Sequence, residues 1–174
     1  MNIYNIHTIY NDNYFNHQML KEIFPGEGKL LFQRQGSILY VLTNLEIDLK
    51  YQDDFRIDKI GNTSKYLKFN IPLNFSIRLN AVKSNKRKRY TIHPEMVETF
   101  VDTKLGNIGV EVKHRMIINE GVLISERNGE KCSHSSVLVV GSLVIKDLDE
   151  FSKVLYTGIG KAKGFGFGLM NIFQ

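Results

Sequence analysis

Apolar and polar residues alternate along several stretches of the chain, and between these stretches the apolar residues recur at helical spacing. Residues 1–10 alternate in this way and predict a strand, whereas the apolar positions of residues 13–24 predict an amphipathic helix that Pro25 and Gly26 end. The runs 29–35 and 37–44 predict an antiparallel hairpin split near Gly36. Residues 45–65 are ambiguous, and a short helix over 47–55 is one interpretation.

The second half of the chain repeats this plan. Residues 66–82 indicate two strands broken at Pro72, a basic linker occupies 83–89, and residues 93–106 predict a helix with Pro94 in its first turn. Two long β runs follow at about 109–126 and 134–146, then a helix that begins at Asp147 or Asp149 and a short terminal strand. This order predicts an α+β fold of two tandem ferredoxin-like (RRM-like) domains with antiparallel sheets, over residues 1–72 and 73–174.

Composition narrows the class of protein. The 43% hydrophobic content of the 174 residues excludes a disordered chain, and the single cysteine, Cys132, excludes a disulfide framework and suits a reducing cytosol. No apolar run approaches the roughly 20 residues of a membrane span, and the first residues do not resemble a secretory signal. We therefore expect a cytoplasmic protein with no membrane partner. The net charge of +5 hints at a polyanionic partner.

A glycine-rich segment near the C-terminus could contact phosphate. Its glycines and lysines are Gly158, Gly160, Lys161, Lys163, Gly164, Gly166 and Gly168. Glycine lets a backbone approach a ligand closely and expose its N–H groups to anions. The segment is not a Walker A loop, because Ala162 follows Lys161, and too few residues remain after it for the helix of a dinucleotide site. The alternative is a tight structural turn.

Positive charge is concentrated in two further places. The run 83–89 carries Lys83, Lys86, Arg87, Lys88 and Arg89, with Arg78 on the strand before it. Such a run is either a solvated loop or a nucleic-acid contact. Arg127 and Lys131 flank a predicted hairpin turn, which could enter an RNA groove or simply be a hairpin tip.

One face of the first predicted helix carries Tyr14, His17 and Lys21, at spacings of three and four residues. A histidine can take a proton from a ribose 2′-OH near neutral pH, a tyrosine can donate a hydrogen bond to a phosphate, and a lysine can stabilise the developing charge. A lone histidine is more often structural or merely exposed. Cys132 and His134 have no partners at metal-ligand spacing, so we expect no metal and no cofactor.

Three motifs resemble a known family. GIGKAKGFGFGLMNIF (158–173) resembles the glycine-rich signature of RAMP-superfamily CRISPR proteins. NDNYFNHQMLKEIFPGEGKLLFQR (11–34) is similar to the Tyr-x-x-His helix and the Phe-Pro … Leu-Phe stretch of the CasE family, and FSIRLNAVKS (75–84) is similar to that family's Arg-Leu-x-Asn-Pro strand end. CasE proteins are the precursor-crRNA endoribonucleases of type I-E CRISPR systems.

The resemblance implies two ferredoxin-like domains and metal-independent cleavage of the CRISPR repeat stem-loop. In that family the 2′-OH attacks the adjacent phosphate and leaves a 2′,3′-cyclic phosphate and a 5′-OH. The protein then stays on the 3′ hairpin as a subunit of the type I-E surveillance complex. The catalytic histidine falls on His17 and the tyrosine on Tyr14, whereas Lys21 is our own addition. The glycine loop falls on 158–168, and the stem contacts fall on Arg78, Lys83, Arg127 and Lys131.

The chain departs from the family in being shorter and in placing Ala81 where the family has proline. Two other functions remain open on the sequence. One is a non-catalytic RNA-binding RAMP subunit, against which the Tyr14 and His17 pair argues. The other is a ferredoxin-like metabolic enzyme with a phosphate-bearing ligand.

Overall fold

Two four-stranded antiparallel sheets form the framework of the protein. The computed structural model describes residues 1–51, 55–63, 67–85 and 88–173. The first sheet contains β1 (Asn2–His7), β2 (Leu30–Gln35), β3 (Ile38–Thr43) and β4 (Ile57–Asn62), in the order β2-β3-β1-β4. Helix α1 (Asn13–Ile23) connects β1 to β2 and buries Leu20 and Ile23 against Tyr4 and Phe32 of the sheet.

The second sheet has the order β10-β5-β9-β8. Its strands are β5 (Pro72–Asn80), β8 (Val110–Arg127), β9 (Glu130–Ile145) and β10 (Met170–Phe173), with helices α2 (Val97–Leu105) and α3 (Leu148–Thr157) in the connections. The short strands β6 (Val82–Asn85) and β7 (Lys88–Thr91) pair separately as a ribbon. Numbered within each sheet, both have the strand order 4-1-3-2 of the ferredoxin-like fold, so the predicted fold class is confirmed.

The structure differs from the sequence prediction in the ambiguous region. The short helix over 47–55 is wrong for its described residues, which hold only a single 3₁₀ turn at Leu49–Tyr51. Strand β4 follows instead and completes the first sheet beside β1. Of the two strands predicted over 66–82, only the second forms, because the described part of 66–71 contributes a lone bridge from Phe69 to Ile145.

Contacts between the two sheets position the later site. Leu31 and Leu42 of the first sheet pack with Leu169, just before β10. The guanidinium of Arg78 on β5 donates from Nη1 to the carbonyl oxygen of Arg34 on β2 at 2.7 Å. The predicted boundary at 72/73 stays a prediction. Across the described residues, no helix is long and apolar enough to cross a membrane.

Candidate functional site

Helix α1 presents the predicted catalytic face. Asp12 caps the helix, because its Oδ1 accepts hydrogen bonds from the backbone N–H groups of Tyr14 at 2.7 Å and Phe15 at 3.2 Å. With the apolar stripe turned into the core, Tyr14 and His17 are half-buried and Lys21 is exposed. The local sequence therefore fixes both the start of the helix and the side on which these three residues lie.

The imidazole of His17 lies between the helix and the glycine-rich loop. A Cβ added at Gly164 would be 3.4 Å from its Cε1 and 3.6 Å from its Nδ1, so the loop backbone passes close to the ring. The ring of Phe32 on β2 is nearly parallel to it, with centroids 6.1 Å apart. Burial lowers the pKa of His17, and the nearby charge of Lys21 lowers it further. The imidazole is therefore neutral at neutral pH and available to accept a proton.

The glycine-rich loop, residues 158–168, is tightly folded. The backbone N–H groups of Gly166 and Gly168 donate to the carbonyl oxygens of Lys163 and Arg78. Gly166 has a φ of +80°, and a Cβ there would lie 3.1 Å from Cε2 of Phe32. Within the described part of the chain, the N–H of Gly164 has no acceptor. The loop is thus a structural turn that also leaves a backbone donor beside His17.

Side chains that the sequence analysis missed join the loop to the helix. Asn13 donates from Nδ2 to the carbonyl oxygen of Phe165 at 2.9 Å. The ring of Phe165 lies 6.1 Å from the Tyr14 ring and 4.4 Å from the His134 ring. The sequence around His134 indicates only an ordinary strand residue, and no local pattern marks Asn13 or Phe165, because their partners are distant in sequence.

His134 is buried in β9 and its Nδ1 lies 3.3 Å from Nδ2 of Asn80. Burial lowers the pKa of His134, the charge of Arg89 lowers it further, and Asp12 opposes both. These charges act on one ring because the β6–β7 ribbon, the start of α1 and β9 are close together. The charge of Arg89 therefore acts on a histidine whose ring lies 4.4 Å from that of Phe165 in the glycine-rich loop, a proximity that the sequence did not predict.

The end of the β8–β9 hairpin reaches the start of α1. The backbone N–H of Glu126 donates to Oδ2 of Asp12 at 3.0 Å, so one carboxylate caps the helix and holds the hairpin. The hydroxyl of Tyr14 lies 3.5 Å from Oδ1 of Asn128 in the hairpin turn. Arg127 and Lys131 are exposed at the same end. The basic hairpin of the sequence analysis therefore adjoins the predicted catalytic residues.

Arg78 is engaged inside the protein. Its Nε and Nη2 donate to the two carboxylate oxygens of Glu120 on β8, each at 2.6 Å, and Nη1 is bonded to Arg34 as described above. Its side chain is only 10% exposed. The sequence predicted an RNA contact here, but this geometry corresponds to a structural ion pair between strands. We therefore leave Arg78 out of the RNA surface proposed below.

The remaining predicted basic residues are spread around the loop. Lys83 and Arg89 are exposed on the β6–β7 ribbon, which replaces the predicted linker. Lys161 is exposed and Lys163 half-buried within the glycine-rich loop. Lys86 and Arg87, and the side chain of Lys88, lie outside the described residues. Among the described residues, no three His, Cys, Asp or Glu side chains are grouped so that they could hold a metal ion.

A family model described as CRISPR associated protein matches residues 4–173. The chain belongs to this family. The resemblance seen in the sequence motifs is thus confirmed at the level of the family. A search of curated proteins finds no match.

Solved structures of CRISPR proteins share the fold over the full chain. The endoribonuclease Cse3 bound to a 19-nucleotide RNA has a TM-score of 0.83 and 19% identity, covering 100% of both chains. Cas6e from Escherichia coli K-12 has a TM-score of 0.72 and 23% identity, covering 99% of both chains. A chain of a CRISPR RNA-guided surveillance complex has a TM-score of 0.74 and 17% identity, also covering 99% of both chains.

Proposed function

We propose that this protein is an endoribonuclease that cuts the stem-loop of a CRISPR repeat in precursor crRNA. The observation that carries the proposal is the half-buried His17, whose pKa is lowered, beside the backbone of Gly164 and on the same helix face as Tyr14. The similar Cse3 is an RNA-bound endoribonuclease, and the family match supports the CRISPR context. A neutral imidazole can accept a proton from a ribose 2′-OH that attacks the adjacent phosphate. A nearby backbone N–H can stabilise the negative charge that develops on that phosphate.

In the proposed reaction His17 accepts the proton of the ribose 2′-OH. The 2′-oxygen forms a bond to the adjacent phosphorus, and the bond from phosphorus to the 5′-oxygen breaks. The leaving oxygen takes a proton from the Tyr14 hydroxyl or from water, which gives a 2′,3′-cyclic phosphate and a 5′-OH. The N–H of Gly164 and the ammonium of Lys21 stabilise the negative charge that develops on the phosphate oxygens.

The proposed RNA surface surrounds this centre. The exposed charges of Arg127 and Lys131 at the hairpin end, and of Lys83 and Arg89 on the ribbon, lie on elements that converge on α1 and the loop. Lys161, Lys163, Gly158, Gly160 and Gly164 belong to the same surface, and the buried Gly166 and Gly168 hold the loop in shape beneath it. Lys86, Arg87 and Lys88 extend this surface by the sequence prediction alone. Such charges contribute to binding mainly through contacts with the RNA phosphates, and this contribution decreases as the salt concentration rises.

We further propose that the cleavage needs no metal and that the protein keeps the 3′ hairpin as a subunit of a type I-E surveillance complex in the cytoplasm. The similarity to a chain of a CRISPR RNA-guided surveillance complex supports the second part. For the first part, the support is chemical, because His17, Tyr14 and Lys21 can each supply a step of the reaction. We also place the boundary between the two units at the start of β5.

The experiment is a single-turnover cleavage assay in EDTA on a synthetic, uncut repeat RNA that contains the sequence of the RNA co-purifying with the protein. We expect the wild type to cut this RNA and to leave a cyclic phosphate, and the His17→Ala variant to bind it without cutting. An RNA with a single 2′-deoxyribose at the cut position should bind and resist cleavage, because the nucleophile is missing.

Each alternative outcome has a distinct meaning. Cleavage that stops in EDTA and returns with Mg²⁺ would refute metal independence. Binding without cleavage by the wild type would leave a non-catalytic RNA-binding subunit. Absence of salt-dependent binding to the hairpin would refute both RNA functions and favour an enzyme with a small phosphate-bearing substrate.

A further inference from the structure

Two aromatic rings are exposed beside the proposed catalytic tyrosine. Tyr10 is 44% exposed and Phe15 is 53% exposed, and their rings are stacked with centroids 6.3 Å apart and planes 25° apart. The Phe15 ring also meets the edge of the Tyr14 ring at 6.4 Å. Neither ring belongs to a hydrophobic core cluster, so the burial of α1 does not account for them.

A buried polar network holds this pair in place. The fully buried Asn16 donates from Nδ2 to the carbonyl oxygen of Tyr10 at 3.2 Å and accepts from the hydroxyl of Thr8 at 2.7 Å. The backbone N–H of Tyr10 donates to the same Thr8 hydroxyl oxygen at 3.1 Å. Phe15 is held by the capped first turn of α1. Because both backbones are fixed, a ligand that stacks on the rings loses little free energy to ordering them.

Cationic groups adjoin the pair. Arg34 donates from Nη1 to Oδ1 of Asn11 at 3.0 Å, next to Tyr10 in the chain. Arg127 is exposed on the hairpin end that Asp12 holds. The acidic Asp12 lies between the two aromatics in sequence, but both of its oxygens accept backbone N–H groups. An exposed pair of rings with the Arg34 guanidinium bonded to the residue after Tyr10 matches a nucleotide, whose base stacks while its phosphate pairs with a cation.

We propose that Tyr10 and Phe15 form a stacking site for one unpaired nucleobase of the RNA, next to the phosphate at which His17 and Tyr14 act. The inference rests on the proposed endoribonuclease function and adds to it a contact outside the paired stem. A base held on these rings fixes the strand that enters the cleavage centre. It selects for an unpaired nucleotide at that position, because a base inside a duplex has its faces covered by its neighbours.

The experiment uses the full-length protein and a synthetic repeat RNA with the sequence of the RNA that co-purifies with it. The fluorescent base 2-aminopurine is placed in turn at each unpaired position next to the stem, and its fluorescence is measured on binding. We expect one position to be quenched on binding the wild type and less quenched with Tyr10→Leu or Phe15→Leu. Leucine keeps an apolar side chain and removes the π face. Removing the stacking of one base should lower the affinity for that RNA by about 5- to 150-fold.

An abasic nucleotide at the quenched position provides the decisive comparison. On abasic RNA the wild type and both leucine variants should bind equally, because the stacking partner is gone. Tyr156→Leu on α3 and Phe69→Leu are matched controls, since these rings are 44% and 56% exposed elsewhere on the surface. Both controls should bind like the wild type, and a melting curve for each variant checks that it is folded.

The outcomes separate this inference from the proposed function. Wild-type cleavage of the hairpin together with unchanged affinity in both leucine variants would overturn the stacking site alone. A loss of affinity that is equally large on abasic RNA would overturn it as well, because the effect would not depend on the base. Failure of the wild type to bind or cut the hairpin would overturn the proposed function and this inference with it.

Discussion

The glycine-rich loop can be tested at two neighbouring glycines that differ in what a methyl group would meet. At Gly166 the backbone has a φ of +80°, and a Cβ would lie 3.1 Å from Cε2 of Phe32 and 3.3 Å from Nδ2 of Asn13. At Gly164 no left-handed φ is involved, and the nearest atom to a Cβ is Cε1 of His17 at 3.4 Å. Gly166→Ala should therefore damage the fold, and Gly164→Ala should damage the chemistry.

The expected magnitudes follow from these contacts. An L-residue in the left-handed region costs about 1–2 kcal/mol, and forcing an extra methyl group into a packed site costs about 1–3 kcal/mol. Gly166→Ala should then lower the free energy of unfolding by about 2–5 kcal/mol, which lowers Tm by roughly 4–20 °C in a chain of this size. Gly164→Ala should change the free energy of unfolding by less than about 1 kcal/mol.

The assay compares three measurements on each variant. Thermal and urea unfolding give stability, filter binding gives RNA affinity, and single-turnover cleavage gives the rate of the chemical step. For Gly164→Ala we expect the cleavage rate to fall by about 10-fold or more, because the methyl group lies against the imidazole and displaces the reacting phosphate. RNA affinity should fall less than the rate does.

Two results would contradict this reasoning. If Gly166→Ala unfolds within about 2 °C of the wild type, the left-handed turn and the contact with Phe32 are not as tight as described. If Gly164→Ala is stable and cuts RNA at the wild-type rate, the loop backbone does not form part of the cleavage centre beside His17.

Three further predictions concern the ion pair, the helix cap and the histidine. Arg78→Met should lower the free energy of unfolding by about 3 kcal/mol, since it leaves the Glu120 carboxylate without its positively charged partner, and urea unfolding checks this. A stable variant with weak RNA binding would instead restore Arg78 to the RNA surface. Asp12→Ser keeps a helix cap but loses the contact with the Glu126 N–H that holds the basic hairpin. We therefore expect RNA affinity to fall, while the free energy of unfolding changes by less than about 1 kcal/mol. An unchanged RNA affinity would show that the hairpin does not need this contact. The cleavage rate of the wild type should stay constant as the pH falls to about 6.5 and should decline only at lower pH, because the pKa of His17 in the folded protein lies below the ordinary histidine value. A pH–rate profile with its midpoint above the ordinary histidine pKa would contradict the role of His17 as proton acceptor.

Glu120 illustrates how a partner distant in sequence changes a residue's role. Burial alone would raise its pKa, but hydrogen bonds from Arg78 and Ser136 outweigh this, so the pKa lies below the ordinary value. The ion pair therefore contributes stability at neutral pH that is lost in acid, as the pH falls from the unfolded pKa through the folded one. The sequence offered Arg78 as one more cation on a strand, because nothing local indicates an acid 42 residues away.

Much of the fold followed from local pattern. Alternation predicted β2, β3, β8 and β9. Helical spacing predicted α1, α2 and α3, with a Pro or an Asp at the start of the last two. The β6–β7 ribbon, where the sequence predicted a linker, was one exception. Strand β4 was another, because its sequence IDKIGN has charged and glycine positions that weaken the alternation. It forms a strand because β1 offers an unpaired edge, which is a tertiary influence on a weak local preference.

The sequence by itself determined which residues share the exposed face of α1, because a capped helix with an apolar stripe leaves Tyr14, His17 and Lys21 only one side to occupy. The sequence also determined that α1 ends near Gly26 and that the chain turns near Gly36. The tertiary structure alone decided what surrounds that face: Gly164 against His17, the hairpin end at Tyr14, and the exposed ring pair of Tyr10 and Phe15. The physical reason is that periodicity reflects interactions between near neighbours in the chain, whereas the pKa of His17 and the pairing of Arg78 depend on burial and charges brought together by packing.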